Sequence, residues 1–258
     1  MFSSNTPIKS WSNRRVWVVG ASEGIGLALS KLLIEKGAQV IVSSRSDRKL
    51  KENFSGLAHI QVVDVTNLNN VISVVKVLTE KQLMPDAVFW LPALYDPGEI
   101  LKQNPEDFSM RLQTNIVSAF HIFPIVARYW ANNPQIGKPY HWCWFSSLAG
   151  YRGLPNACDY GSSRAAISHL AQSSYLELKP HGIDVSLVCP GFVDTRLTKK
   201  NTFKMPLVMS ASKAAALTLH GLKNGRFETH FPKRMSWFFK FINLLPLSIY
   251  LKLMGNLR

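Results

Sequence analysis

The sequence predicts an α/β fold: a doubly wound parallel sheet covered by helices on both faces, forming a single domain with an amphipathic C-terminal extension. Short apolar runs alternate along the chain with stretches of helical apolar spacing, the pattern of strands buried on both faces and joined by crossover helices. The first such run leads directly into a glycine cluster that opens a helix. The 258 residues, 47% hydrophobic and 18% charged, suffice for one large core and are too mixed for disorder.

Arg14-Arg15-Val16-Trp17-Val18-Val19 reads as the first strand, and residues 27–36 carry the helical spacing that stops at Gly37. Residues 38–42, 60–63 and 87–90 read as the next three strands, with helix-like stretches between them. Residues 140–146 and 184–189 supply two more, separated by a helical pattern over 161–177. No internal repeat or low-complexity linker interrupts the chain, so residues 13–232 are expected to fold as one cooperative unit. Composition shifts after about Pro232, and residues 233–258 form a hydrophobic and basic extension.

Between the first strand and its helix lies Gly20-Ala21-Ser22-Glu23-Gly24-Ile25-Gly26. Glycine lets the backbone turn tightly and approach a ligand, while the helix start offers unpaired N–H groups to an anion. After a strand and before a helix, this is a Rossmann-type phosphate turn; standing alone, the same glycines would serve equally as an ordinary tight turn.

The Gly-x-x-x-Gly-x-Gly spacing resembles that of the short-chain dehydrogenase/reductase family, and the resemblance continues in order along residues 13–232. It implies an NAD(P)-dependent oxidoreductase acting on CH–OH or C=O groups, with Gly20, Ser22, Glu23, Gly24, Ile25 and Gly26 around the pyrophosphate. Where the family carries an acidic residue that favours NAD, the second strand here runs Val42-Ser43-Ser44-Arg45. A guanidinium makes charge-assisted bonds to phosphate, so Arg45 points to NADP(H) over NAD(H). The alternative for Arg45 is a solvated loop cation, and Glu23 weighs slightly against NADP(H). Asp64-Val65 matches the family's adenine-contacting pair; Asp64 could also cap the following helix.

Ser147 and Tyr160 stand thirteen residues apart, the family's serine–tyrosine spacing. By that resemblance Tyr160 is the general acid in reduction or base in oxidation, Ser147 hydrogen-bonds the substrate oxygen, and Asn115 holds a water in the proton path. Four residues after Tyr160 the family has lysine and this chain has Arg164. The charge is kept, and a guanidinium could still bond the nicotinamide ribose, yet arginine is effectively never deprotonated; an active but slowed or specialised enzyme is expected. The family's Asn-Asn-Ala-Gly is replaced by Trp90-Leu91-Pro92-Ala93, which leaves two readings open: an altered hold on nicotinamide, or a Trp90 that belongs to the core. Pro190-Gly191-Phe192-Val193-Asp194-Thr195 resembles the family's nicotinamide loop, giving Pro190, Gly191, Val193 and Thr195 as further cofactor contacts beside Tyr160 and Arg164. Residues 196–210 then form a substrate lid whose Leu197, Phe203, Met205, Leu207 and Met209 suggest a lipophilic carbonyl or alcohol, or simply a lid packed on its own core. A homo-oligomer is expected by family analogy alone.

The net charge is +14, and from Lys199 onward eleven Lys/Arg face one acid, Glu228. Such an excess fits nucleic acid, an anionic membrane or a solvated surface. No recognition motif for nucleic acid accompanies it, so no nucleic-acid partner is expected. Residues 234–254 are nearly long enough to span a bilayer, but Lys240, Asn243, Pro246 and Lys252 oppose a spanning helix. They fit a peripheral contact with a membrane, the alternative being a helix packed on the domain or on a dimer partner. Cys143, Cys158 and Cys189 lack metal-ligand spacing and are odd in number, so neither a metal nor a disulfide framework is expected. The first fifteen residues lack an export signal's apolar core, which favours the cytoplasm and the inner face of a membrane. The rival to the enzyme, motivated by Arg164 and by Trp90 to Ala93, is a non-catalytic dinucleotide-binding or scaffold protein.

Overall fold

Alternation along the strands sets the layers. In β1 (Arg15–Val19), Val16 and Val18 face one side of the sheet while Trp17 and Val19 face the other, as the two-residue period of a strand requires. The structure is a computed structural model that describes residues 4–255. β2 (Gln39–Ser43), β3 (His59–Ile60), β4 (Ala87–Trp90), β5 (Tyr140–Phe145) and β6 (Ile183–Pro190) follow in the sheet. A short pair, β7 (Val193–Asp194) and β8 (Met209–Ser210), lies outside it, and β9 (Glu228–Phe231) closes the far edge. The main sheet is parallel with order β3-β2-β1-β4-β5-β6-β9. Strand order reverses between β1 and β4, and in such sheets ligands bind beyond the carboxyl ends of the strands at that reversal.

One face is covered by α3 (Leu68–Glu80), α5 (Ser118–Asn132) and α6 (Cys158–Leu178), the other by α1 (Gly24–Glu35), α2 (Asp47–Phe54) and α7 (Ala211–Lys223). α4 (Pro105–Leu112) runs into a π-helical turn, Gln113–Val117, before α5. Side-chain caps start several of these helices: Ser46 accepts from the Lys49 amide, Asn67 from Asn70, and Ser210 from Lys213. Trp90, Trp142 and Trp144 share the first face, where Trp90 stacks on Trp142 at 6.3 Å and meets Trp144 edge-on at 6.2 Å. Trp90 is therefore a core residue, while Leu91, Pro92 and Ala93 after it line a cleft.

Of the main sheet, β9 is the strand the apolar pattern missed, as it missed the short pair β7 and β8, and the third strand is shorter than expected, ending at Ile60. Beyond Ile60 the chain still leans on β2 through Gln61 N to Val42 O and Val63 N to Ser44 O. The extension forms two helices, α8 (Lys233–Asn243) and α9 (Leu247–Gly255), interrupted around Pro246, which lies just before α9. No helix among the described residues is long and apolar enough to cross a membrane.

Candidate active site

At the strand-order reversal a cleft of about 1060 Å³ opens. Its floor is the glycine turn. Gly20 and Gly24 hold φ values of +93° and +58°, the left-handed region that favours glycine. A Cβ on Gly26 would stand 2.1 Å from the Gly20 carbonyl oxygen, so only glycine lets the helix start close on the turn. Unlike its neighbours, α1 begins without a side-chain cap: Glu23 occupies that position and makes no capping bond. The first amides of α1 are thus free of a side-chain acceptor, and the turn and helix start suit the pyrophosphate of a dinucleotide.

Glu23 is instead engaged outward, pairing with Lys49 at 3.1 Å and with Arg196 at 2.6 Å. Both cations offset its charge. Ser44, Arg45, Ser46 and Lys49 line the cleft beyond the end of β2; the first carboxylate after that strand, Asp47, is not among the cleft residues and pairs with Lys51 at 2.7 Å. Lys49 was not singled out from sequence, although its place one turn after Arg45 carried the signal. Val65 lines the cleft as well; Asp64 does not. Its Oδ1 accepts from the amide and hydroxyl of Thr66 at 3.0 and 2.7 Å, while the helix behind is capped by Asn67. Burial alone would raise the Asp64 carboxyl, but the Thr66 bonds and the nearby Arg45 outweigh it and leave its pKa below the usual value.

Ser147, Tyr160 and Arg164 all line this cleft, with Pro190, Gly191, Val193 and Thr195. Ser147 accepts from the Ala149 amide at 3.2 Å, and its hydroxyl lies 3.4 Å from the Pro190 carbonyl. Arg164 is buried and brings its guanidinium to 5.2 Å from the centre of the Tyr160 ring. Its Nη1 donates to the Phe145 carbonyl at 3.0 Å and its Nη2 reaches Pro92 O at 3.5 Å, so it ties the end of β5 to the loop after β4. Burial pushes the Arg164 pKa down, and the neighbouring Tyr160 only partly restores it.

Asn115 lies behind the cleft wall, at zero exposure in the π-helical turn. Its Oδ1 accepts from the Leu94 amide at 2.6 Å and its Nδ2 donates to Leu94 O at 2.9 Å. This clamp fixes the loop after β4 without the family's glycine there. That loop also packs on the phosphate turn, since a Cβ on Gly20 would come within 3.3 Å of Leu91 and Pro92.

Comparison with known proteins agrees with this geometry. The family described as short chain dehydrogenase matches residues 14–206. The chain belongs to that family. This short-chain dehydrogenase is 28% identical over 247 residues to an uncharacterized oxidoreductase of Myxococcus xanthus, covering 93% of this chain and 95% of that one. It is also 28% identical over 240 residues to a 3-dehydrosphinganine reductase of Arabidopsis thaliana, covering 87% and 71%. A short chain dehydrogenase from Burkholderia cenocepacia, solved in complex with NADP, shares the fold with a TM-score of 0.82 at 19% identity, over 95% of this chain and 99% of that one.

The dehydrogenase surrounds Tyr160 with groups that sequence spacing did not reveal. Tyr95 meets its ring edge-on at 4.8 Å and donates its hydroxyl to Asn201 Oδ1 at 2.6 Å. Burial, with Tyr160, Asp159 and Asp96 nearby, pushes the Tyr95 pKa up to about 12. Asp159 accepts from the Tyr160 amide and is paired in the interior with Arg111 of α4. Of residues 196–210, expected to form a lid, Leu197 and Phe203 line the cleft, and Lys200 pairs with Asp96 at 3.0 Å. Met209 is buried in β8 instead. Met235, Phe239 and Met254 of the extension complete the wall.

Proposed function

We propose that this dehydrogenase transfers hydride between NADP(H) and a carbonyl or alcohol carbon of a lipophilic substrate. The observation that carries the reading is one cleft joining a glycine cradle that a Cβ would fill, the Ser147–Tyr160–Arg164 group, and an apolar wall that includes Leu154, Phe192, Phe203 and Phe239. The bound nicotinamide supplies or accepts the hydride. In reduction, the Tyr160 hydroxyl donates its proton to the substrate oxygen, and Ser147 Oγ turns from Pro190 to donate a hydrogen bond to the same oxygen. Arg164 favours the phenolate left on Tyr160 by its charge. Asn115 and Asp159 act as positioning residues, one holding the loop after β4 and the other the start of α6.

For the cofactor, Gly20, Ser22, Gly24, Ile25 and Gly26 would cradle the pyrophosphate, and Arg45 with Lys49 would receive a 2′-phosphate. Support for NADP(H) comes from the cations beyond β2, the strand's end at Ser43-Ser44-Arg45 without a carboxylate, and the pairing that offsets Glu23. Peripheral contact of residues 234–254 with a membrane fits the same reading, because the extension exposes apolar side chains.

Side-by-side fluorescence titration with NADPH and NADH, followed by a panel of ketones and alcohols, tests the proposal. NADPH is expected to bind at least about tenfold tighter, and Arg45→Ala to weaken NADPH alone by about 10–100-fold, the range of a charged hydrogen bond. Equal affinities, or an Arg45→Ala variant that loses both cofactors alike, would remove the NADP(H) preference.

A further inference from the structure

The extension has two faces with different fates. On α8, Met235 and Ile242 are buried against the domain, and Phe239 shares the cleft wall with Met235. The solvent side of α8 presents Trp237 at 62%, Phe238 at 55%, Phe241 at 68% and Leu244 at 83% exposure, and α9 adds Leu247 at 60% and Leu251 at 59%. Of the seven tryptophans in the chain, Trp237 is the exposed one; the rest are at most 4% exposed.

Charge identifies the occupant of that face. Residues 229–258 contain no Asp or Glu, and Glu228 itself is engaged by Tyr151 and Lys240. Lys233 and Arg234 open α8, where the helix dipole disfavours cations; anionic headgroups at that end would relieve the conflict. Two copies meeting through this face would set cations against cations, because a two-fold interface pairs a patch with itself. Aromatics flanked by cations, with aliphatics alongside, match the boundary between headgroups and acyl chains.

The extension is also fixed to the cleft. Arg152 Nη1 donates to the carbonyls of Ile242, Asn243 and Leu245 at 3.3, 3.2 and 2.9 Å. Its guanidinium sits 4.2 Å from the Tyr250 ring, and Tyr250 donates to Gly153 O at 2.6 Å. The segment just beyond Gly153, residues 154–157, lines the cleft. In residues 196–210, Phe203 lines the cleft and is exposed, as are Leu207 and Val208.

Resting on the hydride-transfer reading for its substrate, we infer that α8 and α9 dock the enzyme on an anionic bilayer with the cleft mouth at the membrane surface. A carbonyl or alcohol lipid with a long hydrocarbon chain then passes from the bilayer between the lid and the extension. The chain lies along Phe239, Met254 and Phe203 while its oxygen reaches Tyr160.

The test combines vesicle flotation, quenching of Trp237 by lipids brominated on their acyl chains, and turnover of two ketones. One ketone is short and water-soluble; the other is a long-chain ketone dissolved in phosphatidylcholine vesicles containing phosphatidylserine. The wild-type chain is expected to float and to be quenched. Phe241→Glu/Leu244→Glu/Leu251→Glu changes exposed residues outside the cleft. It should lower vesicle binding and kcat/KM for the embedded ketone by about tenfold or more, leaving turnover of the soluble ketone unchanged. Wild-type protein that stays off the vesicles, or a triple variant that floats and turns over the embedded ketone like wild type, overturns the inference. So does a wild-type dimer that the variant converts to monomer while neither binds vesicles, since the face would then join two copies. If neither ketone is turned over, the hydride-transfer reading fails, and flotation with quenching still decides the docking.

Discussion

Replacing Arg164 by lysine and by methionine separates its charge from its hydrogen bonds. The Nη1 bond to Phe145 O is short enough to count as a charged hydrogen bond, worth about 1.5–3 kcal/mol, while the 3.5 Å contact to Pro92 O adds little. Opposing it are the burial of a cation and an Nε–H that lacks a partner among the described residues, the latter a cost of about 1–3 kcal/mol. The two sides are similar in size, so Arg164→Lys is expected to change stability by no more than about 1 kcal/mol, or roughly 2–4 °C in Tm for a chain of this length. Activity has no such balance. At the 5.2 Å separation from the Tyr160 ring and an effective dielectric of about 20, a unit positive charge favours the phenolate by about 3 kcal/mol. Expressed in the transition state, that is a factor of roughly 100 in rate. Arg164→Met should therefore lose about 100-fold in single-turnover hydride transfer with a modest change in Tm. Arg164→Lys should exceed the wild-type rate, because an ammonium on a flexible stem is less pinned to carbonyls and can exchange a proton. Thermal melts and stopped-flow nicotinamide absorbance measure both quantities. A lysine variant with unchanged or lower turnover would refute the view that arginine slows the reaction. A methionine variant that keeps full rate would refute the role of the charge.

Gly26→Ala forces a Cβ into the space 2.1 Å from Gly20 O; the steric cost of about 1–3 kcal/mol outweighs the roughly 1 kcal/mol that alanine gains in a helix. If the displaced turn loses about 1.4 kcal/mol of contact, NADPH affinity should drop about tenfold, and isothermal titration showing wild-type affinity would contradict the cradle. Acid should destabilise the fold between about pH 6.5 and pH 4. His141 and His230 are both held near pKa 4 chiefly by burial; nearby cations add to this, while Asp184 beside His141 and Glu228 beside His230 oppose it without reversing it. Their folded values lie below the unfolded one, so their contribution is present above the unfolded pKa and is lost as pH falls towards the folded pKa. A lower Tm at pH 5 than at pH 7.5 is expected, with a smaller drop in His230→Asn; a flat profile would contradict it.

The parts of the fold visible in the sequence are those whose determinants are local. Val16 to Val19 and Ala87 to Trp90 are continuous apolar runs, and Gly20, Gly24 and Gly26 announce their turn by spacing alone. Ser147 and Tyr160 were found through the family's spacing, and they line one cleft. β9 escaped because Glu228, Thr229 and His230 read as polar. Their polar groups are met by partners outside the strand: Tyr151, 77 positions away, and Lys240 for Glu228, and Ser236 of the following helix for His230. Arg111 meets Asp159 across 48 positions, and Arg164 bonds carbonyls 19 and 72 positions away; no periodicity encodes such pairs. The C-terminal stretch announced its composition but not its division around Pro246, nor which face Arg152 would hold against the domain.

Proton transfer by Tyr160 is tested most directly by a single-turnover experiment with Tyr160→Phe, NADPH and a ketone accepted by the wild-type enzyme. NADPH should still bind, with a change in affinity far smaller than the fall of about 10²–10⁴-fold in ketone reduction, the usual contribution of a positioned general acid. Reduction at the wild-type rate by a variant that binds NADPH normally would mean that the proton comes from elsewhere.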